Sequence, residues 1–169
     1  MSIIYRQSPG LRSTSAEPGS PVVAVITGMV FNRCDTHKGT VTCTMTKTVL
    51  LAEDEPNIVE SLTFLLERAG FAISVARDGR QALESALELQ PSVLVLDLML
   101  PELDGYEVLR RLRADPKGEK LPVLMLTAKG QRIDRETALE CGADLFMTKP
   151  FANAEITAAV TKLASGSFD

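Results

Sequence analysis

From Met45 onward the sequence alternates short apolar runs with amphipathic segments of roughly a dozen residues, a pattern that few folds other than repeated strand and crossover-helix units can use. The strand candidates are residues 48–52, 72–76, 92–96, 122–126 and 144–147. Three of them carry VLLA, VLVL and VLML, apolar on both faces, as a parallel strand covered by helices above and below requires. A helix is predicted over 56–68: Pro56 suits a first turn, Ile58, Leu62, Leu65 and Leu66 share one side, and Gly70 stops it. A second covers about 80–89, before Pro91. The third opens near Tyr106 after Asp104 and Gly105, turns Val108, Leu109 and Leu112 inward, and closes before Asp115 and Pro116. A fourth spans about 133–141 and ends at Gly142, and the last about 154–163. Short right-handed crossovers join such units, so the predicted fold is α/β, a doubly wound five-stranded parallel sheet.

Residues 1–44 have a different texture. Pro9, Gly10, Pro18, Gly19 and Pro21 are scattered among serines and threonines, and the apolar stretch 22–31 shows neither a helical nor an alternating period. The segment reads as a flexible or non-native extension, with 45–169 as the domain. Arg6 and Arg12 precede the apolar stretch, but Gly28 interrupts it and no small-x-small cleavage pattern follows, unlike a secretory signal. Cys34, His37 and Cys43 lack a fourth zinc ligand and the closing spacing of a zinc site. With Cys141 they make an odd cysteine count, which suits a reducing compartment, so a cytoplasmic location is expected. No apolar run reaches the about 18 residues of a membrane span, and no membrane partner is expected. Net charge is -4, and residues 45–169 hold 14 basic against 20 acidic side chains, so no nucleic-acid partner is expected either.

Ligands of open parallel sheets collect outside the carboxyl ends of the strands. There the first strand runs into Glu53, Asp54 and Glu55, the third into Asp97, the fourth into Thr127, and the fifth into Thr148, Lys149 and Pro150. Converging carboxylates repel and raise one another's pKa values, which calls for a cation. Oxygen ligands at a shallow rim suit Mg2+, which keeps several waters and takes one or two carboxylates with a phosphate oxygen. A lysine adds mobile positive charge for an anionic group, and a hydroxyl donates to one of its oxygens. Together they describe a phosphoryl site with Asp97, at the end of a buried central strand, as nucleophile. Singly, each residue has an ordinary reading as helix cap, loop residue or strand terminus; the set at four strand ends does not.

These residues resemble the receiver domain of bacterial response regulators over about residues 47–163. VLLAEDEP is similar to the family's acidic motif after strand one, LVLDLMLPELDG to its phospho-acceptor strand and loop, LTA to its strand-four hydroxyl, and MTKPF to its lysine with a following proline. The resemblance implies a (βα)5 flavodoxin-like receiver fold with strand order 2-1-3-4-5. It implies Asp97 as phospho-acceptor, Thr127 as switch hydroxyl and Lys149 as the phosphoryl-contacting amine. Mg2+ would be held by Asp54 and Asp97, by Glu53 through water, and by the main-chain carbonyl of Met99. Phe146, three residues before the lysine, would be a switch aromatic, acting by packing because phenylalanine has no hydrogen-bonding group. Met99 and Lys129, two residues beyond acceptor and hydroxyl, are placed to alter the lifetime of the phosphoryl group.

The implied partners are a sensor histidine kinase or histidine phosphotransfer protein and a downstream target protein, in a signalling receiver that catalyses only its own phosphorylation and dephosphorylation. With 20 residues after Lys149, the chain resembles a stand-alone, chemotaxis-type receiver. DRETALECGADLF resembles the pairing face of winged-helix response regulators, in which Arg135 and Glu155 match one cross-subunit partnership. Leu145 and Ala159 replace another, so the expected homodimer is weak or phosphorylation-dependent. The alternatives are a phosphorylation-independent interaction module on the same fold and a haloacid-dehalogenase-like Mg2+-dependent aspartyl-phosphate phosphatase. The phosphatase needs a second aspartate where Met99 stands. A flavodoxin-like electron carrier would need a hydroxyl-rich phosphate loop where Glu53, Asp54 and Glu55 would repel an anion.

Overall fold

The computed structural model describes residues 25–26, 29–37, 40–128 and 140–166, with side chains described from Thr46 on. The chain divides into two units between Thr46 and Lys47. In the first, strands β1 (Val25–Ile26), β2 (Met29–His37) and β3 (Thr40–Met45) form an antiparallel sheet in that order. The sequence reading of residues 1–44 as a flexible or non-native extension names no strand there. The alternation in β3 is real, TVTCTM, but it falls outside the apolar stretch in which a period was sought. The rest of that expectation concerns residues outside those described.

The second unit begins with β4 (Thr48–Ala52), α1 (Pro56–Arg68), β5 (Ala72–Ala76) and α2 (Gly79–Leu89). It continues with β6 (Val93–Asp97), α3 (Gly105–Ala114), β7 (Val123–Thr127), β8 (Leu145–Thr148) and α4 (Asn153–Ser165). The strands pair in parallel in the order β5-β4-β6-β7-β8, which is 2-1-3-4-5 when only these five are numbered. The sequence reading of the fold therefore holds; its helix over 133–141 lies almost wholly outside the described residues.

Period-two alternation along the central strands sends side chains to two separate layers. Leu50, Leu94, Leu96 and Met125 pack with α2 and α3 through Ala82, Ala86, Val108, Leu109 and Leu112. Val49, Leu51, Val95, Leu124 and Leu126 pack on the other face with α1 and α4 through Val59, Leu62, Leu66, Ile156, Val160 and Leu163. Each buried leucine contributes about 2 kcal/mol by leaving water. Two helix starts are capped alike: Asp78 accepts from the Gln81 N–H at 2.7 Å, and Asp104 from the Glu107 N–H at 2.8 Å.

Three strands begin one residue later than the sequence pattern indicates, and the reason is chemical. Ser92 leaves the ladder because its hydroxyl accepts from the Thr48 N–H at 3.3 Å while its own N–H donates to the Thr48 carbonyl at 2.8 Å. Pro122 has no N–H to give. The shift puts Asp97 and Thr127 inside their strands, opposite Leu126 and Thr148 in the ladder. Both side chains are thus carried on paired backbone rather than on loops.

Candidate functional site

Four strand ends meet at one rim of the parallel sheet. Glu53 follows β4, its N–H donating to the Ala76 carbonyl at 3.1 Å, and its side chain is buried. Asp97 ends β6 and is 5% exposed; Thr127 ends β7 and is fully buried. Lys149 follows β8, with its N–H donating to the Thr127 carbonyl at 2.7 Å. From there its ammonium group donates to Glu53 Oε2 and to Asp97 Oδ2, both at 2.6 Å. The other Asp97 oxygen, Oδ1, accepts from the Met99 N–H at 3.1 Å, and Glu53 Oε1 from the Glu55 N–H at 3.4 Å.

The charge at this rim does not balance. Carboxylate oxygens of Glu53, Asp54 and Asp97 lie within 4.8 Å of one another, with Lys149 bonded to two of the three groups and Asp54 exposed. Burial, helped by the neighbouring Asp97 charge, pushes the Glu53 carboxyl up to about 7 even though the Lys149 hydrogen bond pulls it down. For Lys149, burial works against the charged form, but the hydrogen bonds to Asp97 and Glu53 outweigh it and hold the ammonium above its ordinary value. An oxygen-only donor set with surplus negative charge, open to solvent at Asp54, fits a hard divalent cation such as Mg2+.

Glu53, Asp54, Asp97, Met99 and Lys149 are therefore brought together, with Thr127 on the adjoining strand end. The Met99 side chain is 57% exposed at the mouth of the site. Phe146 is half-buried against the layer built on α2 and α3. Arg135 and Lys129 lie outside the described residues. Glu155, expected at a dimer face, turns back on its own helix and accepts from the Ala152 N–H at 3.1 Å. Asp78 and Gly79, not singled out by the sequence pattern, repeat the dipeptide of Asp104 and Gly105, and both pairs border the loop that follows Asp97. A Cβ at Gly105 would stand 2.6 Å from the Asp97 carbonyl oxygen, so only glycine lets α3 start so close to Asp97.

This chain belongs to the response regulator receiver domain family, whose model matches residues 49–161. It is 47% identical over 118 residues to the alkaline phosphatase synthesis transcriptional regulatory protein PhoP of Bacillus subtilis, a match covering 69% of this chain and 48% of that protein. To the DNA-binding response regulator MtrA of Mycolicibacterium smegmatis it is 44% identical over 117 residues, covering 69% of this chain and 50% of that one. The chain thus spans about half the length of these curated relatives. Among solved structures it is similar to the receiver domain of sensor histidine kinase PA1611 from Pseudomonas aeruginosa, described with a magnesium ion coordinated in its active site cleft. That likeness has a TM-score of 0.67 and 32% identity, covering 71% of this chain and 98% of the other. The signal receiver domain of a histidine kinase from Syntrophus aciditrophicus gives a TM-score of 0.67 at 34% identity, covering 72% and 92%.

The fold and the two-component class expected from the sequence are thus established. The expectation of no nucleic-acid partner finds no support, because relatives of this chain are named as DNA-binding regulators. Among the described residues no helix is long and apolar enough to cross a membrane.

Proposed function

We propose that Asp97 accepts a phosphoryl group from the phosphohistidine of a sensor histidine kinase or a histidine phosphotransfer protein in the cytoplasm. The observation that carries this reading is the ammonium of Lys149 at 2.6 Å from both Asp97 and Glu53, with the exposed Asp54 completing an acidic cluster beside them. Asp54 and Asp97 would hold Mg2+ directly, Glu53 through a water, and the Met99 carbonyl would complete the protein's share. The cation would supply positive charge to the oxygens of the incoming group.

A carboxylate oxygen of Asp97 attacks phosphorus as the phosphorus–nitrogen bond to the imidazole breaks, and the histidine leaves neutral because its other ring nitrogen carries a proton taken up from solvent. Strand β6 holds the nucleophile rigidly while the Met99 N–H donates to its other oxygen, so the reaction needs positioning and charge neutralisation and no general base. Once Asp97 carries the phosphoryl group as an acyl phosphate, the Lys149 bond to its oxygen is released to the phosphoryl oxygens, and Thr127 is drawn toward the same group. That movement opens room for Phe146 to change its packing, a two-state element biased by charge. The partner-docking face then differs between states, and the relatives named as DNA-binding regulators support an output that reaches transcription. Water attack on phosphorus ends the signal by regenerating the carboxylate.

The test is incubation of the chain with Mg2+ and a small acyl phosphate, followed by intact mass. Wild type is expected to gain one phosphoryl group and Asp97→Asn none. An unmodified wild type, or equal modification of the variant, removes the assignment.

A further inference from the structure

The acceptor loop, residues 98–104, is held at its base by the sheet and by α3. The Leu98 N–H donates to the Leu126 carbonyl at 2.9 Å, and the Gly105 N–H closes the loop onto the Leu98 carbonyl at 2.9 Å. Its crest has a second support from outside. The Gly79 N–H, in the first turn of α2, donates to the Pro101 carbonyl at 3.1 Å, and Leu103 lies against the α2 and α3 core layer. A Cβ on Gly79 would collide with the Leu103 carbonyl oxygen and stand 2.7 Å from both the carbonyl carbon and the Cβ of Leu103. Two of these three are main-chain atoms, so no side-chain rotation relieves the overlap.

We propose that Gly79 is a positioning residue for the phospho-acceptor site, setting the height of the loop that carries Met99 although α2 contributes no side chain to the site. The loop has little slack to absorb a push. Glu102 already sits at φ +67, the left-handed region that a non-glycine residue enters at a cost, and the Leu103 N–H is tied to the Pro101 carbonyl at 2.8 Å. Helix α2 cannot retreat freely either, because Asp78 caps it and Ala82 and Ala86 are fully buried beneath it. A displacement at Leu103 and Pro101 is therefore passed to Met99, whose N–H bonds Asp97 and whose carbonyl belongs to the cation's cradle in the proposed function, on which this inference rests.

The experiment compares the full chain with Gly79→Ala and with Val160→Ala, a core truncation in the opposite layer. Three quantities are read: the Met99 amide chemical shift without metal, Mg2+ affinity by calorimetry without phosphodonor, and the Mg2+ dependence of modification by an acyl phosphate. Gly79→Ala should move the Met99 amide and weaken Mg2+ binding about tenfold or more, as losses of supporting groups around a metal do. Its phosphorylation should need more Mg2+ yet approach the wild-type maximum, while Val160→Ala changes none of the three. An unmoved Met99 amide in Gly79→Ala, or equal losses in Val160→Ala, overturns the proposal. If Gly79→Ala does not fold, Leu103→Ala, which removes the loop's anchor in the α2 and α3 layer, must shift that amide in its place. Failure of wild type to bind Mg2+ or take up phosphate would sink the proposed function, whereas the metal-free amide shift still decides the role of Gly79.

Discussion

The two rims of the parallel sheet treat buried charge in opposite ways. At the amino ends of β7 and β8, Arg113 spends every N–H it has: Nε donates to the Gly142 carbonyl at 2.9 Å, Nη1 to the Gly118 and Leu121 carbonyls at 2.8 Å, and Nη2 to Gly142 at 2.8 Å and Asp144 at 3.0 Å. Asp144 in turn accepts from the Val123 N–H at 2.8 Å, so the clasp joins α3, the turn after it and the entries of both strands. Burial lowers the guanidinium's pKa, with Asp144 opposing it, and the charge is locally balanced. At the carboxyl ends, one lysine faces two buried or nearly buried acids and a third stands exposed beside them. A closed polar network stabilises and specifies a fold, while an open one stores unspent binding capacity. The rim left incomplete is the one to which the proposed function assigns the chemistry.

Removing the central cation from each rim should separate these roles. At the acidic rim, Lys149→Ala deletes the donor proposed to contact the phosphoryl group and leaves Glu53 and Asp97 repelling each other. Phosphorylation by a small donor should fall on the order of 100-fold, the usual effect of losing one well-placed transition-state donor. A rate within threefold of wild type would mean the lysine is structural, like the arginine opposite. Arg113→Ala should do the reverse. Leaving several carbonyls and Asp144 without their partner costs about 2 kcal/mol, read as a lower melting temperature, while Mg2+ binding and phosphorylation of the folded fraction stay at the wild-type level. A loss of Mg2+ affinity there would show the rims to be coupled and undo the contrast.

The sequence made one rim legible and hid the other, for physical reasons. Strand ends in a parallel sheet are where ligands bind, so Glu53, Asp54, Asp97, Thr127 and Lys149 could be read together once the alternating runs were seen. The first two strands and the first helix were legible to the residue, because Pro56 and Gly70 punctuate them; Ser92 and Pro122 blurred the later starts by hydrogen bonding that no apolar pattern encodes. Arg113 was invisible: an arginine in the last turn of an amphipathic helix reads as a solvated charge, and two of its partners, Gly142 and Asp144, lie 29 and 31 residues along the chain. The contact of Gly79 with Leu103 was hidden likewise, although the repeated Asp-Gly pair was a signal. So was the direct Glu53 to Lys149 bond, since spacing says that two groups share a rim and not which of them touch. Strands β2 and β3 lie mostly beyond the apolar stretch 22–31, so the missing period of that stretch carries no information about them.

The smallest expected effect concerns how the two rims respond to pH. Glu53 holds its proton up to about pH 7 in the metal-free fold, above its ordinary value of 4.5, because burial and Asp97 outweigh Lys149. Below about 4.5 it is protonated whether the chain is folded or not, and well above 7 it is ionised in both states. Between those limits the folded chain binds a proton that the unfolded chain has released, so this group makes stability fall as pH rises through the window and level off beyond it. Lys149 acts in the same direction but only at high pH: its raised value contributes stability that is lost as the solution passes above the ordinary lysine value of 10.5. Urea midpoints of the metal-free chain should thus decline from pH 5 to pH 7.5 relative to Glu53→Gln, which carries no titrating group there. In Arg113→Ala the same decline should persist, because Glu53 keeps its burial and its bond to Lys149 there. Identical profiles for wild type and Glu53→Gln would show that the buried acid is already ionised at pH 5, and that the acidic rim is better balanced than its geometry indicates.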